Sequence, residues 1–334
     1  MSGLLHGLLL VAAVLLIAAA RLRRRLARAR ALVFLHPYAH DGGGGERVLW
    51  VALQALAPRA ARESIPLIVC TGDAHSPDEL RRRALERFGV VVPESVLFVR
   101  LALRTLVEPT WYPVATLLGQ LVGANLLLLE AIVRAPPSLL VDTTGYGFAY
   151  ALAKFAGVRR LACYVHYPTV TSDMSARVAE RVEAHNNAAF VSRSSMLTRL
   201  KLQYYAALTA LYRASGSHAD VVAANGRWTA GHLERLWRRE VPIVYPPCDT
   251  SALEDLALER APSASLTILS VAQFRPEKDH ALQLRSFAML LERWRRRGRP
   301  TKPPTLVLAG AVRHAADAAR LDALRELASR LGLR

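Results

Sequence analysis

The sequence predicts an α/β protein of two doubly wound domains, the second incomplete, preceded by an N-terminal transmembrane helix. Three observations carry that prediction. Short apolar runs alternate with longer helical stretches, as in folds built from successive βα units. The runs are apolar almost throughout instead of alternating with polar residues, which marks parallel strands buried on both faces. The 334 residues exceed one ordinary domain, and a proline-containing stretch near residue 250 divides the alternation into two series.

Met1–Ala20 carries no charged side chain, and Leu4–Ala20 is Leu, Val, Ala and Ile almost throughout. Twenty helical residues span about 30 Å, the thickness of a bilayer core. A cleaved signal peptide places its basic residues before the apolar run, whereas here they follow it. Arg21, Arg23, Arg24, Arg25, Arg28 and Arg30 form a collar over residues 21–30 that belongs on the cytosolic side, with the body of the chain.

Seven runs read as strands of an N-terminal domain spanning 31–245: Ala31–Leu35, Leu67–Cys70, Val96–Val99, Leu139–Val141, Leu161–Tyr164, Asp220–Ala224 and Ile243–Tyr245. Glu46–Ala57, Pro77–Phe88 and Gly147–Phe155 read as helices between them. Tyr112–Ile132 has one charge, Glu130, but its Gln120, Asn125 and two glycines fit a core helix better than a span. Met196–Gly216 interleaves Arg199, Lys201 and Arg213 with leucines and tyrosines. Its residues leave open a helix lying on a membrane surface and an ordinary helix packed on the core. Residues 246–265, with Pro246, Pro247 and Pro262, read as a linker. Beyond it, over 266–334, come strand Thr267–Val271, helix Asp279–Arg297, strand Thr305–Ala309 and helix Ala315–Leu331. Two βα units are too few to bury a doubly wound sheet.

Composition excludes several classes. A hydrophobic fraction of 52% excludes a mainly disordered chain. The formal charge of +17 comes from 40 Arg and only 4 Lys, a chain-wide bias with no nucleic-acid-binding motif, so no nucleic-acid partner is expected. The run Arg293–Arg299 reads as a solvated helix end. Cys70, Cys163 and Cys248 lie far apart, which supports neither a disulfide scaffold nor a zinc site and fits a reducing compartment.

Three motifs carry candidate chemistry. In His36–Trp50, HPYAHDGGGGERVLW, a strand leads into Gly42, Gly43, Gly44 and Gly45 and then into a helix. Glycines admit a ligand close to the backbone, and the helix N-terminus offers free N–H groups to a phosphate or to a sugar beside one. Glu46 and Arg47 stand where a P-loop needs Lys and Ser/Thr, so an ATPase is disfavoured, and a tight βα turn alone would explain the glycines. In Cys163–Thr169, CYVHYPT, His166 stands at the C-terminal end of a strand, the edge where open sheets bind ligands, although a lone histidine also serves structure. In Gln273–His280, QFRPEKDH, Arg275 and Lys278 offer two cations for a diphosphate, or a solvated loop paired with Glu277. No cluster has metal-ligand spacing, and no G-x-S-x-G elbow announces a serine nucleophile.

Taken in order, HPYAHDGGGGERVLW, CTGD, FVRLALR, YVHYPTVTSDM, ADVVAANGRWTAGHLERLW, VYPPCDT and SVAQFRPEKDH resemble one family over nearly the whole chain. It is that of the asparagine-linked glycosylation α-1,2-mannosyltransferases, which extend the dolichol-linked oligosaccharide on the cytosolic face of the endoplasmic reticulum. The resemblance implies the GT-B fold, two Rossmann-like domains around a cleft. It implies retaining transfer of the fourth and fifth mannoses from GDP-mannose to a trimannosyl core on diphosphodolichol, with no metal and no other cofactor. By resemblance, Gly42–Gly45 line the cleft near the transferred sugar, His166 contacts the mannose, and Arg275 and Lys278 hold the donor diphosphate. Met196–Gly216 corresponds to a membrane-embedded or membrane-lying segment. The implied partners are GDP-mannose, the dolichol-linked oligosaccharide, the endoplasmic reticulum membrane and other mannosyltransferases of the pathway.

One departure bears on activity. The family continues past the position of Arg334 with an E-x7-E motif, and Glu326 is the only glutamate between Gly310 and Arg334. The sequence therefore corresponds to about the first two-thirds of such an enzyme, and no transfer is expected of it alone. A non-catalytic, membrane-anchored binder of lipid-linked oligosaccharide, or of a partner glycosyltransferase, is the competing reading.

Overall fold

The computed structural model describes residues 2–180, 193–250, 254, 266–297, 302–312 and 315–333. The chain divides into two compact units, Met1–Asp249 and Thr250–Arg334. Most of the linker expected over 246–265 lies outside the described residues, as do residues 298 and 299 of the arginine run.

The first unit opens with α1 (Ser2–Arg28), one unbroken helix through both the apolar run and most of the basic collar. Its two ends behave differently. Leu9, Leu10, Val14, Leu15, Leu16 and Ile17 are each more than half exposed, whereas Leu26 is buried and Leu22 packs on the core. Arg23 fastens this end by donating to the Phe155 carbonyl at 3.0 Å and lying 5.4 Å from the Phe155 ring centroid.

Six parallel strands follow: β1 (Ala31–Leu35), β2 (Leu67–Thr71), β3 (Val96–Arg100), β4 (Pro137–Asp142), β5 (Arg160–Val165) and β6 (Val221–Ala224). Their order is β3-β2-β1-β4-β5-β6, the dinucleotide-binding order in which the chain winds outward from β1 in both directions. Leu32 pairs with Leu67 on one side and Leu139 on the other, which makes β1 a central strand. The two-residue period of a strand then sends Val33 and Leu35 into one core and Phe34 into the other. The Phe34 side is closed by α2 (Gly44–Arg62) and α3 (Pro77–Phe88), through Leu49, Trp50, Leu53 and Leu80. Ser76 and Glu79 form a capping box that starts α3, and Gly89, left-handed at φ 68°, ends it.

The opposite face carries the larger core. It is built by α4 (Thr116–Arg134), α5 (Tyr150–Ala156), α7 (Ser195–Gly216) and α8 (Arg227–Trp237), while α6 (Ser172–Ala179) packs on α7. In α4, the helix expected over Tyr112–Ile132, Ala124, Leu127, Leu128, Ala131 and Ile132 face inward, and Leu118, Val122, Leu126 and Val133 face outward. Its Gly123 lies so close to the Leu106 carbonyl that a Cβ would overlap it. Glu130 of α4 accepts from the N–H groups of Ala102 and Leu103 at 2.8 and 2.9 Å, which ties the end of β3 to the helix. In α7, the segment left open between membrane and core, Tyr205, Leu208 and Tyr212 are buried, while Met196, Leu200 and Leu211 remain exposed.

The seventh strand expected at Ile243–Tyr245 does not form. Ile243 makes a single bridge to Ala224, supported by Ala224 N–H to Pro242 O at 3.0 Å and Val244 N–H to Ala224 O at 2.9 Å. Pro242, Pro246 and Pro247 have no N–H to donate, so the ladder stops after one rung.

The second unit pairs β7 (Thr267–Val271) with β8 (Thr305–Ala309) in parallel, Thr267 opposite Thr305. Helices α9 (His280–Arg296) and α10 (Ala315–Arg330) cover the pair through a small core of Phe274, Leu284 and Leu324. Leu269 and Val271 stay 60% and 76% exposed, so one face of this two-stranded sheet is bare.

Candidate functional site

An open parallel sheet binds ligands outside the C-terminal ends of its strands, at the point where strand order reverses. Here that point lies between β1 and β4. β1 delivers His36 there and β4 delivers Thr143, and His36 Nδ1 lies 2.6 Å from Thr143 Oγ1. The single hydroxyl proton of Thr143 is given to Leu35 O at 3.1 Å, so His36 Nδ1 is the donor to Thr143. Below this pair, fully buried Asp142 accepts from the N–H groups of Thr144, Gly145 and Tyr146 and from the hydroxyls of Thr144 and Tyr150, all at 2.6–3.2 Å. Those five bonds hold the β4 loop in shape. Burial, with Asp142 beside it, pushes the Tyr150 phenol well above its ordinary range.

The glycine loop closes the next side. Gly42 takes a left-handed φ of 77°, which turns the chain into α2. Glu46 reaches back to accept from the Gly43 N–H at 2.6 Å, so the carboxylate at the head of α2 is turned onto its own helix N-terminus. Burial alone would raise the Glu46 carboxyl, but contact with His36 at 3.8 Å and the backbone N–H groups of Glu46 and Gly43 hold it below the ordinary carboxylate range. Gly45 is where close approach matters. A Cβ there would lie 3.4 Å from His166 Nε2 and 3.8 Å from His36 Cε1. The glycine therefore keeps open the space in which the two histidines converge.

His166 follows β5, its ring packed edge-on against Tyr164 at 4.9 Å and its carbonyl accepting from Thr229 Oγ1 at 3.2 Å. Burial, then the charge of His36, lowers its pKa against the opposing pull of Glu46 and Asp142, so the neutral imidazole is favoured. His166 Nε2 and His36 Nε2 are both buried without a hydrogen-bond partner. Two such nitrogens beside the N-terminus of α2 form a polar cradle suited to hydroxyl groups. The structure thus brings His166 and Gly45 together. His36, Glu46 and Thr143 complete the constellation, although sequence reasoning assigned them no role. Glu46 stands three residues after Gly43, the spacing of a capping box, and that was the readable signal.

Arg275 and Lys278 belong to the second unit, in the loop after β7. Arg275 Nη1 stands 3.7 Å from Glu277 Oε1, and Arg275 Nε is buried without a partner. Lys278 is exposed at the end of a 3-10 turn, Pro276–Lys278, and Asp279 accepts from the Leu282 N–H at 3.1 Å to start α9. An exposed ion pair such as Arg275–Glu277 is weak and yields readily to a stronger anion.

A cavity of about 580 Å³ in the first unit lies elsewhere, lined by Leu32, Leu67 and Leu139 near the N-terminal ends of β1, β2 and β4. That is the edge away from His36 and Thr143, and open sheets do not use it for ligands.

The sequence profile described as "ALG11 mannosyltransferase N-terminus" matches residues 29–237, a span that contains every element of the His36–His166 cradle. The chain is 40% identical over 308 residues to a GDP-Man:Man(3)GlcNAc(2)-PP-Dol alpha-1,2-mannosyltransferase of Xenopus tropicalis, covering 91% of this chain and 62% of the relative. The similarly named protein of Homo sapiens is also 40% identical, with 90% and 61% covered. This chain therefore spans less than two-thirds of the length of these relatives. Among solved structures, the N-terminal domain of Candida albicans trehalose-6-phosphate phosphatase shares the fold, with a TM-score of 0.50 at 12% identity, covering 91% of this chain and 70% of that one. With the profile covering well over half of the sequence, the chain belongs to the ALG11 mannosyltransferase N-terminus family.

Proposed function

We propose that this chain supplies the acceptor-side domain and part of the donor side of a retaining α-1,2-mannosyltransferase of GT-B architecture. Its substrates are GDP-mannose and a diphosphodolichol-linked trimannosyl oligosaccharide, to which it adds the fourth and fifth mannoses. The observation that carries this reading is the pair of buried imidazole nitrogens of His36 and His166, neither of them in a hydrogen bond, held open by Gly45. Neutral His166 accepts or donates a hydrogen bond to a mannose hydroxyl, and the first N–H groups of α2 add further donors. Charge that develops on the departing GDP falls to Arg275 and Lys278, whose fixed cations replace a metal ion in that role. Glu46 is engaged with Gly43 and His36, so it positions the loop and does not act as nucleophile.

The apolar, exposed part of α1 anchors the chain in the endoplasmic reticulum membrane, and the arginine collar keeps the remainder in the cytosol. The outward residues of α7, Met196, Leu200 and Leu211, lie toward the lipid. A full-length version incubated with labelled GDP-mannose and a synthetic trimannosyl diphospholipid tests the proposal. Two added hexoses, both released by an α-1,2-mannosidase, support it. No transfer, or a product resistant to that mannosidase, overturns it.

A further inference from the structure

Beside the glycine loop lies a second, smaller cavity of about 190 Å³, lined by His40, His75, Glu79, Arg82, Arg83 and Glu86. The rings of His40 and His75 stack in parallel, 3.6 Å apart at 6°. The loop that carries His40 is fixed in place. Its N–H donates to Asp73 Oδ2 at 3.0 Å, and buried Asp73 also accepts from Thr71 Oγ1 at 3.0 Å and Arg104 Nη1 at 3.1 Å. From α3, two arginines reach beneath Gly42. A Cβ on that glycine would lie 3.3 Å from Arg87 Nε and 3.8 Å from Arg83 Nη2.

The acidic groups around this cavity match the arginines in number, but three of them are held by other partners. Glu79 is taken by the N–H and hydroxyl of Ser76 at 2.7 and 3.1 Å, and Glu86 stands 3.9 Å from Arg82. Asp73 belongs to Arg104, and Asp41 is the neighbour of His40 in the chain. Arg83 and Arg87 make no ion pair within 4 Å among the described residues, and Arg83 Nε is buried with no partner. Guanidinium N–H groups converging with two imidazoles on a phosphate-sized space match a tetrahedral oxyanion.

We propose that the cavity formed by His40, His75 and Arg83, with Arg87 beside it beneath Gly42, binds a phosphate or diphosphate group at a site separate from the His36–His166 cradle. Within the proposed function this group is the diphosphate that joins the acceptor sugar to its lipid, an identification that rests on that reading. The anion site itself does not depend on it.

The test is calorimetric titration of the whole detergent-solubilised chain, carrying Arg275→Ala and Lys278→Ala so that the other cationic loop contributes nothing. Inorganic pyrophosphate and farnesyl diphosphate serve as separate probes. Binding of pyrophosphate that weakens at least tenfold, about 1.4 kcal/mol, when Arg83→Gln and Arg87→Gln are added supports the site. Tighter binding of farnesyl diphosphate identifies a lipid diphosphate as the occupant, and equal affinity identifies the free ion. The remote Arg59→Gln, paired in the parent with Glu63 at 2.7 Å, leaves the affinity unchanged. Absence of binding, loss of affinity equal to that of Arg59→Gln, or an unaffected double variant overturns the proposal. Because the titration involves no transfer step, it stands even where the mannosyltransferase assay fails.

Discussion

Replacing Gly45 by Ala separates a glycine kept for the ligand from one kept for the fold. Its backbone is not left-handed, and an added methyl would stand 3.4 Å from His166 Nε2 and 3.8 Å from His36 Cε1, ordinary contact distances. Nothing in the folded chain resists the change. Alanine in a helix is favoured over glycine by about 0.5–1 kcal/mol, which at roughly 2–4 °C per kcal/mol for a domain of this size raises Tm by about 1–4 °C. The same methyl fills the space between the two imidazoles. A sugar hydroxyl is then excluded and two buried nitrogens stay unsatisfied, a loss of about 1–3 kcal/mol and so about 5- to 200-fold in kcat/KM. Thermal melts of this chain and transfer kinetics of a full-length version read the two effects separately. Wild-type kcat/KM in G45A would refute the reasoning about the cradle, and a fall in Tm of about 5 °C or more would show that the glycine serves packing instead.

Gly123→Ala acts the other way, because its Cβ would overlap the Leu106 carbonyl oxygen: α4 must lift from the end of β3, and stability measured by urea unfolding falls by about 2–3 kcal/mol. Glu46→Gln tests linkage. The native carboxyl titrates below its unfolded value of about 4.3, so its contribution is present above that pH and disappears as pH falls through the lowered native pKa. Melts from pH 7 to pH 3 are expected to show wild type and E46Q converging at the acidic end, and a gap independent of pH would contradict that assignment. Arg275→Ala combined with Lys278→Ala in a full-length version removes two charge-assisted contacts of about 1.5–3 kcal/mol each, and equilibrium binding of GDP-mannose is expected to be lost.

Much of the fold was legible because buried parallel strands announce themselves as unbroken apolar runs. Leu32–Leu35 and Leu67–Cys70 have no other place to go than the middle of a sheet. Ile243–Tyr245 looked the same locally and failed, because the prolines around it remove the donors a ladder needs. Strand order was not legible from any run, since every parallel pair offers similar apolar edges. The site shared that fate in part. His166 and the glycines stand out as motifs, but the His36–Thr143 bond joins residues 107 positions apart and exists only because β1 lies beside β4. The role of Glu46 likewise depends on where His36 ends up. The bare faces of β7 and β8 show the same limit in the second unit, where sequence located the strands and only the structure showed which side chains stay uncovered.

The central claim is that neutral His166, after β5 and facing His36 across Gly45, contacts the transferred mannose. Single-turnover transfer by a full-length His166→Ala version, with GDP affinity measured in parallel, tests it most directly. The account predicts a rate lower by about 100-fold or more, equivalent to about 2.7 kcal/mol, at unchanged GDP affinity and unchanged Tm. A wild-type rate, or a rate loss matched by an equal loss of GDP affinity, would contradict it.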